Sequence, residues 1–232
     1  MFKKKKKQTA ARKRTRRFGK DLDFASVEAY NLLRTNISFS LLDKEGGKVI
    51  GVTSPCPQEG KSTTSLNLSY ALAEAGHKVI LIDADMRRPS IAKAIDVPMV
   101  PGLSNILIEE NEVAIHHDTL HENMSVLLSG NIPPNPSELV GSDKMKHLIE
   151  KLQTEYDYVI LDLPPIISVS DPIAVSKHLD GIIVVVRHGH TRRRDIQEAI
   201  RQLRLVNARI LGFVYNGLYR TKPHYHSQSY RK

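Results

Sequence analysis

The sequence contains a single cysteine, Cys56, in 232 residues, which excludes an internal disulfide and suits a reducing compartment. Aromatic residues make up only 6% of the chain, and its excess positive charge is confined to one tail. The base-stacking and groove-reading elements of a nucleic-acid-binding module are therefore not visible. Apolar runs are short. The longest, such as Gly181-Ile-Ile-Val-Val-Val186, have the length of a strand and fall far below a bilayer span, and the first residues hold no apolar signal core. The expected location is the cytosol. With 41% hydrophobic residues and a mean hydropathy of -0.30, the chain reads as one soluble domain with enough core to fold by itself.

Acidic residues are missing from positions 1 to 20, which carry eleven Lys or Arg; the remainder holds 23 basic against 25 acidic side chains. So basic and apolar-poor a run is expected to be a disordered tail. Three readings compete for it: an anionic membrane surface, which would attract it by up to about 1 kcal/mol per basic residue, nucleic-acid phosphates without sequence choice, or solvent alone.

The most informative segment is Thr53-Ser-Pro-Cys-Pro-Gln-Glu-Gly60-Lys61-Ser62-Thr63. It follows the apolar run Lys48-Val-Ile-Gly-Val52 and opens a helical stretch, as a phosphate-binding loop does. Backbone N–H groups and the positive helix end can surround a triphosphate, Lys61 can neutralise it, and Ser62 can ligate magnesium. The generic pattern places glycine five residues before Gly60, where this chain has Pro55. Two apolar strands end in carboxylates, Lys78-Val-Ile-Leu-Ile-Asp83-Ala-Asp85 and Tyr158-Val-Ile-Leu-Asp162. In a parallel sheet these ends share one edge with the loop. A lone strand-end Asp reads as a turn or helix cap; Asp83, Asp85 and Asp162 together with the loop read as a metal–nucleotide site.

Helical spacing predicts an amphipathic helix from Phe24 to Leu42, followed by alternating elements. These are strand 48–53, helix 61–75 with Gly76 as its C-cap, strand 78–82, short helical pieces over 89–116 and strand 125–128. A helix from about Ser137 to Gln153, strand 157–162, a helix near 171–178, strand 181–187, helix 192–206 and strand 209–215 complete the series, with Tyr215 packed in the last strand. The alternation implies an α/β fold, a doubly wound, mainly parallel sheet with helices on both faces. Residues 1–20 form the basic tail, 21–216 the domain, and 217–232, which have no apolar period, a mobile C-terminal tail bearing Tyr219, Tyr225 and Tyr230.

The loop Ser54-x-x-Pro57-x-Glu59-Gly60-Lys61-Ser62, the strand end Asp83-x-Asp85-x-Arg87, the strand end Leu161-Asp162-x-x-Pro165 and the tyrosine-bearing terminus resemble the bacterial tyrosine kinases of capsular polysaccharide systems. The resemblance runs from about Glu28 to the end, and it implies a P-loop domain of the deviant Walker type that tolerates a residue other than glycine at Pro55. It implies that Glu59, Gly60, Lys61, Ser62 and Thr63 hold ATP, and that Ser62, Asp85 and Asp162 hold Mg2+ directly or through water. Asp83 becomes the first choice to accept the tyrosine proton and Asp85 the second. Phosphoryl transfer asks mainly for positioning and charge neutralisation. The phosphoacceptors would be Tyr219, Tyr225 and Tyr230 of a neighbouring subunit. Glu28-x-x-Asn31-x-x-Arg34 resembles the motif that joins subunits into a ring, with Asn31 where arginine is usual. The implied partners are a membrane adaptor that activates the kinase, a cognate tyrosine phosphatase and further copies of the chain, with the kinase recruited from the cytoplasm to the inner face of the membrane. The basic first twenty residues would help to hold it there. The rival is a non-kinase ATP switch of the partitioning or division-site class; such proteins usually carry an extra lysine early in the loop, and residues 54 to 59 contain none.

Some residues keep two readings. Cys56 is a redox switch or a plain small loop residue. Asn216 approaches a nucleotide base, as in related ATPases, or serves as a turn asparagine. His116, His117, His188, His190, His224 and His226 lack the partners of a metal set and read as surface residues. Arg192-Arg193-Arg194 opens a helix, where positive charge is mildly unfavourable, and reads as a solvated face or a contact for phosphate or an acidic partner.

Overall fold

The computed structural model describes residues 18–109 and 115–218. Six strands form one parallel sheet in the order β3-β2-β4-β1-β5-β6: β1 Lys48–Thr53, β2 Val79–Asp83, β3 Met124–Leu127, β4 Tyr158–Asp162, β5 Gly181–Arg187 and β6 Ile210–Asn216. Strands β1, β2, β4 and β5 are apolar on both faces, as strands covered by helices on both sides must be. Ile50, Val52, Leu81, Ile160 and Ile183 pack towards α1 (Phe24–Ser40) and α2 (Lys61–Glu74). On the opposite face, Val49, Ile80 and Val159 meet α4 (Leu103–Glu109), α5 (Pro136–Val140), α6 (Asp143–Glu155) and α7 (Asp171–Val175), with α3 (Ile91–Ile95) lying between β2 and α4 in the chain. Ile182, Val184 and Val186 meet α8 (Arg193–Leu205) on that same face. The doubly wound architecture is the expected one.

Register decides where the chemistry sits. Val52 of β1 stands opposite Asp162 of β4, and Asp162 stands opposite Asp83 of β2. The phosphate loop and both acidic strand ends therefore emerge side by side, at the carboxyl edge where open α/β sheets bind ligands.

Three details differ from the sequence-based expectation. The helix expected over 137–153 is two helices, α5 and α6. Gly141 lies against α7, where a Cβ would come within 3.2 Å of the Ala174 Cβ. Ser142 then turns extended and caps the second helix, its Oγ accepting from the Met145 N–H at 3.2 Å. The segment from Asp171 ends as a 3-10 turn over Ser176–His178, not as α-helix. Tyr215 does not pack in the core: β6 is an outer strand, and Tyr215 is 54% exposed. Gly76 follows α2 with φ +89, the left-handed backbone a C-terminal glycine supplies. Of the expected tails 1–20 and 217–232, residues 1–17 and 219–232, with Tyr219, Tyr225, Tyr230, His224 and His226, lie outside the described residues; Gly19–Asp21 form a 3-10 turn, and the buried Gly19 N–H donates to Asn67 Oδ1 at 3.1 Å.

Because the α5–α6 break depends on its cap, Ser142→Ala is expected to lower stability by about 1 kcal/mol in urea unfolding. Unchanged stability would show that packing at Gly141 alone sets the break.

Candidate phosphate and metal site

The loop between β1 and α2 is held from two sides. On one, the Ile166 N–H donates to the Ser54 carbonyl at 2.9 Å and the Thr53 hydroxyl to the Pro164 carbonyl at 2.7 Å. On the other, Arg187 Nη1 donates to the Gln58 carbonyl at 2.9 Å, His190 Nε2 lies 3.3 Å from the Pro57 carbonyl, and the Thr191 hydroxyl donates to the Glu59 carboxylate. Gly60 takes φ +95, and a Cβ there would fall 2.0 Å from Asn216 Nδ2. That amide donates instead to the Glu59 carbonyl at 2.9 Å. Only glycine fits the turn.

Asn216 thus grips the loop from the end of β6. Glu59 is buried and its carboxylate also accepts the Cys56 N–H at 3.0 Å, so this side chain braces the loop from within. Burial first, then the nearby Glu59 charge, raise the Cys56 thiol above its ordinary value. A raised thiol is a poor thiolate, so the plain-residue reading of Cys56 prevails.

Lys61 begins α2 and reaches back across the strand ends. Its Nζ lies 2.8 Å from Asp85, 3.5 Å from Asp162 and 3.3 Å from the Ser62 hydroxyl. Burial opposes its charge, but Asp162 and Asp85 outweigh that cost and hold it above the usual lysine range. Asp83 is fully buried; its Oδ2 accepts the N–H groups of Ser90 at 3.2 Å and Ile91 at 3.1 Å, while Oδ1 has no partner. Burial, and then repulsion from Asp162, push its carboxyl up to about 7. Asp162 is raised as well, by burial that the Lys61 charge only partly offsets; its Oδ1 accepts from the Ser65 hydroxyl at 3.1 Å and its Oδ2 makes no hydrogen bond. Asp85 Oδ1 accepts the Arg88 N–H at 3.0 Å.

Three carboxylates against one lysine leave an anionic, underpartnered pocket beside the Ser62 hydroxyl, as a hard divalent cation requires. No three His, Cys, Asp or Glu side chains among the described residues converge as a protein-only metal cage would. A magnesium ion at this place would draw on one or two carboxylates and the hydroxyl, together with phosphate oxygens and water. Thr63 lies in the first turn of α2, its carbonyl accepting from Asn67 Nδ2 at 3.0 Å.

Glu28, Asn31 and Arg34 stand apart from this cluster, on α1. Asn31 Nδ2 donates to Glu28 at 3.3 Å and Arg34 Nη1 to the Ala71 carbonyl of α2 at 3.0 Å. An unexpected group fixes the loop after β2. Arg87 forks onto Asp171 with Nε–Oδ2 and Nη2–Oδ1 both at 3.0 Å, and also reaches the Ser137 hydroxyl at 3.0 Å. Asp171 is buried at the start of α7 and had read only as a helix opening before Pro172. Nothing local in the sequence joins it to Arg87, 84 positions earlier.

A family model described as an AAA domain matches residues 47–211. The chain is 38% identical to the tyrosine-protein kinase YwqD of Bacillus subtilis, over 82% of its own length and 80% of the relative's. It is also 38% identical to the tyrosine-protein kinase CpsD of Streptococcus pneumoniae, over 86% and 88%. The solved kinase domain of the Escherichia coli tyrosine kinase ETK superposes with TM-score 0.79 at 31% identity, covering 88% of this chain and 80% of that one. The chain belongs to the bacterial tyrosine-kinase family. The septum site-determining protein MinD of Pyrococcus horikoshii, solved with Mg-ADP, is more distant, with TM-score 0.61 at 25% identity over 73% and 70%. The kinase reading therefore prevails over the partitioning or division-site one.

The raised Asp83 carboxyl fixes a sign. The folded state holds this proton more tightly than the unfolded chain, so stability is greatest at low pH and falls as pH rises from about 4 through 7. The span is at most about 4 kcal/mol, shared with Asp162. Asp83→Asn is expected to flatten this fall in thermal unfolding between pH 5 and 8. An unchanged pH profile would contradict the assignment.

Proposed function

We propose that this chain is an ATP-dependent protein tyrosine autokinase acting in the control of capsular or extracellular polysaccharide synthesis. The observation that carries the proposal is the lysine of the phosphate loop lying among three strand-end carboxylates. Gly60, Lys61, Ser62 and Thr63 bind the ATP phosphates; Lys61 leaves Asp85 for the phosphate oxygens, exchanging one anionic partner for another. Ser62, Asp85 and Asp162 hold Mg2+, which when bound neutralises charge on the phosphate oxygens. Asp83 accepts the tyrosine proton through its unpartnered Oδ1, a carboxyl near neutrality being suited to take a proton at working pH. Asp85, held by Lys61 at 2.8 Å, is the second choice.

The acceptors are Tyr219, Tyr225 and Tyr230 of a neighbouring copy. Self-association through α1 is supported by outward apolar residues: Phe24, Leu32 and Phe39 of the helix are 80%, 62% and 68% exposed, and Leu42 just beyond its end is 70% exposed; they flank Glu28, Asn31 and Arg34. No helix of the described residues is long and apolar enough to cross a membrane. A membrane adaptor, a cognate phosphatase and an anionic surface for residues 1–20 complete the reading.

Incubation with Mg2+ and ATP in the presence of the adaptor, followed by mass spectrometry, is expected to find phosphate on the tail tyrosines. Lys61→Met should lower the transfer by about a hundredfold or more, and changing Tyr225 and Tyr230 to Phe should cut the yield while sparing ATP binding. Absence of tyrosine phosphate would refute the proposal.

A further inference from the structure

Charge on the described fold is unevenly placed. Residues 187 to 209 contain seven arginines and only two carboxylates, Asp195 and Glu198, whereas the other described residues carry thirteen basic and twenty-one acidic side chains. The positive surface is thus α8 with its flanks. Arg201 is bound to Glu198 at 2.7 and 2.8 Å, and Arg194 lies 3.5 Å from Asp195. Arg192 and Arg193 are exposed, and their guanidinium groups have no hydrogen-bond or ion-pair partner among the described residues.

The C-terminal segment departs beside this surface. Arg187 at the end of β5 pairs with Asn216 at the end of β6, and the His188 N–H donates to the Asn216 carbonyl at 2.8 Å. The described chain stops two residues later, at Leu218. Residues 219–232 then carry Tyr219, Tyr225 and Tyr230 with four Lys or Arg and no Asp or Glu. At roughly 3.3–3.6 Å per extended residue, Tyr225 reaches up to about 25 Å from Leu218 and Tyr230 up to about 40 Å. Both distances allow contact with the start of α8.

We propose that the arginine face formed by Arg192, Arg193 and Arg194 is a docking site for the phosphorylated C-terminal segment of the same chain, residues 219–232. The inference rests on the tail-phosphorylation reading above. Without phosphate, the basic segment is repelled by the basic face. Each phosphotyrosine adds a charge of about -1.5 to -2 and three strong acceptor oxygens, which match the planar donor fork of arginine. Phosphorylation converts repulsion into attraction and withdraws the tail from a neighbour's active site. The docked phosphate also sits next to residues 187 to 191, whose Arg187, His190 and Thr191 side chains hold the phosphate loop at Gln58, Pro57 and Glu59. The state of the tail is thereby read by the segment that braces the ATP site.

The test uses a synthetic peptide of residues 218–232 phosphorylated at Tyr225 and Tyr230, titrated against the full chain bearing Lys61→Met, with the unphosphorylated peptide as reference. The phosphopeptide is expected to bind at least about tenfold more tightly, an advantage that falls as salt screens the charges. The advantage should vanish in Arg193→Ala/Arg194→Ala and survive in Arg201→Ala. Equal affinity of the two peptides, or a preference that survives the double substitution, overturns the proposal. So does arginine-dependent binding to phosphatidylserine vesicles without preference for the phosphopeptide, which assigns the face to lipid. Because the peptide is phosphorylated chemically, a chain unable to phosphorylate itself would fail the mass-spectrometric test and still pass this one.

Discussion

Three carboxylates and one ammonium share the carboxyl edge of the sheet, and the rest of the structure follows from that imbalance. Asp83 and Asp162 are fully shielded from water, where an unpaired charge is costly. Lys61 lies nearest Asp85, at 2.8 Å, with Asp162 farther at 3.5 Å, and one charge cannot satisfy all three. The remaining strain appears as raised proton affinity on Asp83 and Asp162 and as one oxygen on each that accepts no hydrogen bond. A site in this condition gains from an incoming cation and loses little when Lys61 turns to phosphate. The insertion of β4 between β1 and β2 creates the imbalance, because it sets Asp162 in register with Asp83.

The surroundings keep that edge rigid without neutralising it. The phosphate loop is braced from the β4 side through Ser54 and from the β5 side through Gln58 and Glu59, while Asn216 closes over Gly60. Arg87 and Asp171 fix the segment that carries Asp85, and that ion pair spends its charges on each other, leaving the three carboxylates to the ligand. Nearly all of these contacts use carbonyls or groups already paired. They position the site, and the one arginine that touches the phosphate loop, Arg187, is directed at the Gln58 carbonyl and not at the three carboxylates.

Much of this was legible in the residues alone. Apolar runs of strand length located β1, β2, β4 and β5, two of them ending in Asp, and the loop with its lysine located the phosphate site. What escaped was tertiary. Asp171 beside Pro172 looks like any helix opening, and only folding brings it to Arg87. Glu59 is placed in the phosphate loop by its motif, but that Thr191, 132 positions away, draws its carboxylate inward is visible only in the fold. Tyr215 fitted a buried strand by pattern, but β6 lies at the edge of the sheet, and strand order cannot be read from periodicity. The division of α5 from α6 was signalled by Gly141-Ser142, a turn pair that the helical pattern on either side obscured.

The central claim is that the pocket holds more carboxylate than it can neutralise until a magnesium nucleotide arrives. Calorimetric titration with the preformed Mg–ATP complex near pH 7, repeated in buffers of different ionisation enthalpy, counts the protons exchanged on binding. With Asp83 titrating at about 7, binding should release on the order of half a proton, and Asp83→Asn should abolish the release. Binding without proton release, or a release untouched by that substitution, would contradict the account.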